Sequence, residues 1–118
     1  MPEQPLKRRV VITGYGMITP SGKNTEETFD NCTKGISGID HVTSFDTTGF
    51  PCRIGGEIDN GWLDDFEKDT DQKLRKFSSR AVRLMRIAAA EAAQRAALYT
   101  IHDRFTIGVS LGSHGDNP

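Results

Sequence analysis

Lys7-Arg8-Arg9-Val10-Val11-Ile12-Thr13-Gly14-Tyr15-Gly16-Met17-Ile18-Thr19-Pro20-Ser21-Gly22 opens on three basic residues, passes through an unbroken β-branched run and ends in glycines and a proline. β-Branched residues without polar alternation form the pattern of a strand covered on both faces, as in a parallel sheet, and predict a strand over residues 8 to 14. The glycines after it permit a turn, and Pro20 excludes both ladder bonding and helix. Asn24 followed three residues later by Glu27 resembles a capping box. It predicts a helix from Thr25 that carries Phe29 and Cys32 inward and stops at Gly35. Cys32 is then expected in the core.

Outward from this stretch, the first six residues are polar and proline-punctuated and read as a flexible terminus. Residues 36 to 61 alternate turn formers with single apolar residues, which predicts an irregular excursion with a short strand over Arg53 to Gly56 and little else. An acidic stretch from Asp59 to Asp71 leads into a basic one. From about Asp71 to Leu98 the positions Leu74, Phe77, Ala81, Leu84, Ala88, Ala92 and Ala96 step by three or four, predicting one long helix whose apolar stripe lies on a sheet. Its alanines keep it thin, and thin helices pack close to a neighbour. Phe105 to Leu111 is dense enough for a second interior strand. The order β, α, short β, long α, β is an α/β pattern, and no repeat of 20 to 50 residues interrupts it. A sheet ending at residue 111 would leave an edge and parts of both faces uncovered, so the reading is of an incomplete domain.

Composition narrows the function classes. The 118 residues carry 15 Lys plus Arg against 16 Asp plus Glu, a net charge of −1, and the mean hydropathy is −0.49. That balance argues against a general nucleic-acid or membrane-surface binder. No apolar run approaches the roughly 20 residues of a membrane span, and Met1-Pro2-Glu3-Gln4-Pro5 lacks the apolar stretch of a secretory signal, so a cytoplasmic location is expected. Cys32 and Cys52 have neither metal-ligand nor disulfide-framework spacing, and reduced thiols are expected.

Each candidate site has a plainer reading beside it. Gly14-Tyr15-Gly16-Met17-Ile18-Thr19 places Thr where a dinucleotide fingerprint needs its third glycine, and Pro20 where its helix should open, which favours a simple turn. Lys73, Arg75, Lys76, Arg80, Arg83 and Arg86 form either a solvated helix face or a positive ridge for an acidic protein. No aromatic residues interleave with these charges, so nucleic acid is the weaker option. His41, His102 and His114 fall in separate loops without ligand spacing, and no metal is expected. Neither cysteine has a base in view, and neither is expected to be a nucleophile. Trp62, Leu63 and Phe66 form an apolar cluster that pins the excursion to the body or, less readily, a docking patch.

The opening stretch resembles that of the β-ketoacyl-acyl-carrier-protein synthases, most closely the type II branch. The resemblance continues through Gly35-Ile36-Ser37-Gly38-Ile39 with Phe45-Asp46 beyond, the alanine-rich helix after Lys73-Leu74-Arg75-Lys76-Phe77, and Ile107-Gly108-Val109-Ser110-Leu111-Gly112-Ser113. It places residues 7 to 118 in the N-terminal domain of that family and implies a partial thiolase-like fold, the start of its N-terminal βαβαβ half.

The resemblance also implies a reaction. Family members take an acyl group from a carrier-protein thioester onto a cysteine, decarboxylate malonyl-carrier protein, and let the carbanion attack the acyl-enzyme, with two histidines stabilising the enolate. No metal or organic cofactor is implied. The family's nucleophilic cysteine lies downstream of the position matched by Gly112-Ser113 and its histidines further still, so no catalytic residue carries over and the chain alone is expected to be inactive. Carrier-protein docking does carry over: Lys73 is the best-aligned basic counterpart, with Arg75 and Lys76 in the same turn. Asp69 and Gln72 stand where the family often has basic residues, and Arg75 where it usually has an acid. The implied partner is an acidic acyl carrier protein, and the implied parent a homodimer, the fragment itself being expected to self-associate. Two other classes stay open, a non-catalytic chain-length-factor-like partner and a free-standing carrier-protein-binding module. Acyl-chain length and pathway are not legible in these residues.

Overall fold

Local signals build the first helix. In the computed structural model, which describes residues 9–100 and 107–114, α1 spans Thr25–Thr33 with Asn24 as its N-cap, accepting from the Glu27 backbone N–H at 2.9 Å. Glu27 returns the contact one residue earlier than a capping box requires, accepting from the Lys23 N–H at 3.3 Å. At the other end Gly35 adopts φ 70°. Its N–H reaches the Cys32 carbonyl at 3.1 Å and that of Ile36 reaches Asn31 at 2.8 Å, the paired bonds of a Schellman motif.

The expected short strand forms as β2, Ile54–Gly56, and it has a partner the sequence reading missed, β1, Ile39–His41. The two run antiparallel with Ile39 opposite Gly56 and His41 opposite Ile54. This hairpin leans on the Pro20 turn: a Cβ on Gly56 would stand 2.8 Å from Pro20 Cγ. The turn is closed by reciprocal bonds between Thr19 and Gly22 and tied to α1 by Asn31 Nδ2 donating to the Ser21 carbonyl at 2.6 Å.

The acidic stretch is helical. In α2, Asn60–Phe66, Asp59 caps the first turn by accepting from the Gly61 N–H at 2.6 Å. The single long helix expected over 71 to 98 is two, α3 Gln72–Phe77 and α4 Arg80–Arg95, followed by a 3₁₀ turn at Leu98–Thr100. The break has a local cause. Ser78 Oγ donates back to the Leu74 carbonyl at 2.6 Å, while Ser79 turns extended and caps α4 by accepting from the Val82 N–H.

The two interior strands do not form as expected. Residues 9 to 18 and 107 to 111 have no ladder partner among the described residues, and Val10 and Ile12 are 95% and 87% exposed; residues 8, 105 and 106 lie outside the described residues. A buried parallel strand is defined by neighbours on both sides and layers on both faces, and among the described residues the 9–18 segment has no neighbouring strand and a layer on one face only. The burial that does occur alternates with period two, Gly14, Gly16 and Ile18 being half-buried and Tyr15 and Met17 exposed. The partner face is α4 itself. A Cβ on Gly14 would stand 2.7 Å from Ala96 N, and one on Gly16 2.8 Å from Ala92 N. The thin alanine face thus receives a glycine backbone in place of a sheet.

Apolar burial is concentrated at one point. Leu63, 1% exposed, is the fully buried large apolar side chain among the described residues; it lies on α2, which packs on α4. Trp62 is half-buried and Phe66 exposed, so the pinning expected of this cluster rests mainly on Leu63. Cys32 is exposed, not in the core, and Phe29 beside it is exposed too. α1 buries Thr25 and Thr28 instead, because its contacts are with the polar Thr19–Gly22 turn.

Candidate carrier-protein docking surface

Helix α3 is short, and polar bonds set it in place. Asp71 starts it by accepting from the Lys73 N–H at 2.7 Å. Lys73, Lys76 and Phe77 face outward, Phe77 being 82% exposed, with Lys76 Nζ 6.0 Å from the Phe77 ring centroid. Cations around an exposed aromatic ring make a surface suited to an acidic partner with an apolar contact at its centre.

Arg75 is turned the other way. Its Nη2 lies 3.2 Å from Asp64 Oδ1 and its Nε 3.6 Å from Glu67 Oε2. Glu67, 3% exposed at the end of α2, also takes Arg83, whose Nε donates to Oε2 at 2.7 Å, and Arg86, whose Nη1 stands 3.5 Å from Oε1. Asp64 shares Arg83 at 3.3 Å. The carboxylate of Glu67 holds the Arg83 guanidinium above its ordinary value, against desolvation. Arg80 donates to the Ile58 carbonyl and the Asn60 side chain.

The continuous basic ridge expected from the sequence is therefore divided. Arg75, Arg80, Arg83 and Arg86 are engaged by α2 and the residues before it, while Lys73 and Lys76 make no salt bridge among the described residues. An open groove lined by Gln72, Lys73, Arg75, Lys76, Asp64 and Arg83 runs between the two sets. The sign change between Asp59 and Arg86 was the available signal, but helix pairing across 8 to 19 residues is not visible in it.

Elsewhere the sites weighed from sequence stay apart. Gly14 and Gly16 lie on α4 and cradle no phosphate loop. His41 is exposed on β1 and His114 is exposed; His102 lies outside the described residues. Cys52 is exposed, its thiol 3.5 Å from the Ile54 carbonyl. Among the described residues no group of three His, Cys, Asp or Glu side chains could hold a metal ion, and no helix is long and apolar enough to cross a membrane.

Comparison with known proteins gives this surface its context. Residues 7–117 match the family model described as β-ketoacyl synthase, N-terminal domain. The 3-oxoacyl-[acyl-carrier-protein] synthase 2 of Staphylococcus aureus strain N315 is 36% identical over 109 residues, 90% of this chain and 25% of the relative. That of strain COL is 36% identical over 110 residues, with the same coverage. The tetracenomycin polyketide synthase ketoacyl synthase beta subunit of Streptomyces glaucescens is 47% identical over 49 residues, 42% of this chain and 12% of that subunit. The chain spans about a quarter of the length of the synthases it matches.

Proposed function

Because this chain belongs to the β-ketoacyl synthase N-terminal-domain family, we propose that it is the opening part of a type II 3-oxoacyl-acyl-carrier-protein synthase. Its parent performs the decarboxylative condensation of an acyl thioester with malonyl-carrier protein in fatty-acid or related polyketide synthesis, as a cytoplasmic homodimer. The chain contributes no nucleophile to that reaction. Its own part is to present α3 to the acidic carrier protein, with Lys73 and Lys76 as direct contacts and Arg75 in the same turn. The observation that carries this reading is the family match across 7–117 combined with two outward lysines, Lys73 and Lys76, the latter beside the exposed Phe77.

The test is a titration of the labelled chain with an acyl carrier protein at low salt. Amide signals of Lys73, Arg75 and Lys76 are expected to shift, and Lys73→Glu with Lys76→Glu to abolish the shifts; their persistence in the double variant would remove the docking assignment. Salt should weaken the contact, since exposed charges are screened within about 8 Å at physiological ionic strength.

A second reading is favoured by the tetracenomycin beta subunit, 47% identical over 49 residues. In it the parent is a non-catalytic partner of a condensing enzyme. The coding sequence beyond Pro118 separates the two: a cysteine at the next strand-to-helix elbow with two histidines further on supports the enzyme, and another residue at that elbow supports the partner.

A further inference from the structure

The geometry points to Glu67 as the positioning residue of the docking helix, a role that rests on the docking assignment above. Glu67 stands at the C-terminal end of α2, and its carboxylate meets Arg75 of α3 at 3.6 Å, Arg83 of α4 at 2.6 Å and Arg86 of α4 at 3.5 Å. One nearly solvent-free carboxylate thus joins three helices, tying Arg75 before the Ser78–Ser79 break to Arg83 and Arg86 after it.

The break makes such a tie necessary. α3 is six residues long, buries none of them, and connects to α4 through an extended Ser78. Short helices gain their order from contacts outside themselves. For α3 those contacts run through Arg75, to Glu67 and to Asp64. With Arg75 held inward, Lys73 and Lys76 remain exposed on the outward side together with Phe77. Arg75 accordingly acts through Glu67 and Asp64 in setting the helix, and the two lysines meet the partner.

Charge and positioning predict opposite signs, which makes the role testable. Glu67→Gln removes a negative charge from beneath the surface, so charge alone would tighten binding of an acidic carrier protein. Loss of positioning weakens it, by about fivefold or more, since ordering α3 then falls on the binding step. Asp65→Asn removes the same charge from α2 at an exposed pair with Lys68, and is expected to leave binding unchanged or slightly tighter.

The second measurement needs no carrier protein. In the full chain with Cys32→Ser and Cys52→Ser, spin labels at Gln72→Cys and Gln94→Cys report the placement of α3 against α4. A narrow distance distribution that broadens with Glu67→Gln and with Arg75→Met supports the role. Tighter or unchanged binding by Glu67→Gln, or a distribution that stays narrow, overturns it. If Glu67→Gln loses its helical circular dichroism, the distribution of Arg75→Met decides alone. Failure of the Lys73→Glu, Lys76→Glu double variant to affect binding would instead overturn the docking assignment and leave the distance result standing.

Discussion

The Glu91 carboxylate accepts the backbone N–H of Met17 at 3.1 Å, joining residues 74 apart in sequence. The same carboxylate accepts from the Thr25 N–H at 3.2 Å and from Arg95 Nη2 at 3.1 Å. It therefore holds the first turn of α1 and the glycine segment to α4 at once, and a negative charge at a helix N-terminus adds a favourable dipole contact. Arg95 closes the arrangement from above, lying 5.1 Å from the Tyr15 ring centroid and 3.6 Å from Glu26. Burial pushes the Glu91 carboxyl up, but the hydrogen bonds from Met17, Thr25 and Arg95 outweigh it and hold the group below its ordinary value.

A carboxyl lowered in the folded state binds its proton more readily when unfolded, so folding is favoured above the unfolded value of about 4.3. The contribution is lost as pH falls through the lower folded value. Amide signals of Met17 and Thr25 should therefore be constant at neutral pH and move together only below the ordinary glutamate range. Glu91→Gln is expected to abolish that movement and to reduce hydrogen-exchange protection of both amides by about tenfold, the scale of a lost charged hydrogen bond. Unchanged protection in the variant would mean that the glycine contact alone holds the segment.

That glycine contact makes its own prediction. A Cβ on Gly16 would stand 2.8 Å from both Ala92 N and Glu91 Cβ, whereas one on Gly108 meets nothing within 4 Å. Gly16→Ala must push residues 14 to 17 off α4, a cost of about 1 to 3 kcal/mol for overpacking. Protection of the Met17 amide should fall with Gly16→Ala and stay level with Gly108→Ala. Equal behaviour of the two variants would show that the segment does not rest on α4 in solution.

What could be foreseen in the sequence was what is local. Asn24, Glu27 and Gly35 act within one or two helical turns, and α1 forms between them as expected. β2 forms where expected, but β1 was missed because a three-residue strand such as Ile39-Asp40-His41 carries almost no periodic signal. The stripe Leu74, Phe77, Ala81 runs through the Ser78–Ser79 break, so periodicity alone joined two helices whose capping serines separate them. Val10 to Thr13 has the composition of a buried strand, yet a strand requires partners, and none is present among the described residues. At the docking surface the residue types were legible and the pairing was not. Lys73, Arg75 and Lys76 look equivalent in sequence until Glu67 and Asp64 turn Arg75 inward.

Glu57 fastens the hairpin by a different carboxylate device. It accepts from the Thr43 N–H at 2.7 Å and the Ser44 N–H at 3.0 Å, binding the chain that follows β1 to the residue that follows β2. Hydrogen bonds from Ser44 and Thr43 lower its carboxyl to about 2. The group favours the closed hairpin in full above its unfolded value of about 4.3, and that contribution drains away as pH falls from there through its folded value. A carbon-detected titration should place the Glu57 midpoint near 2 with the Thr43 and Ser44 amides moving in step. A midpoint within the ordinary glutamate range would show that the 43–44 loop is open in solution.

The two thiols test which faces of the chain are covered. Cys32 on α1 and Cys52 before β2 are both exposed, although the helical pattern of Phe29 and Cys32 points to a buried face. That face borders an apolar groove between Tyr15, Met17, Phe29 and Arg95, so a second layer packed on it would shield Cys32 and leave Cys52 free. Without such a layer, a disulfide reagent should titrate two thiols in the native chain. Two equivalents at low protein concentration falling to one as concentration rises would identify self-association through α1. A single equivalent at every concentration would mean that Phe29 and Cys32 face inward after all.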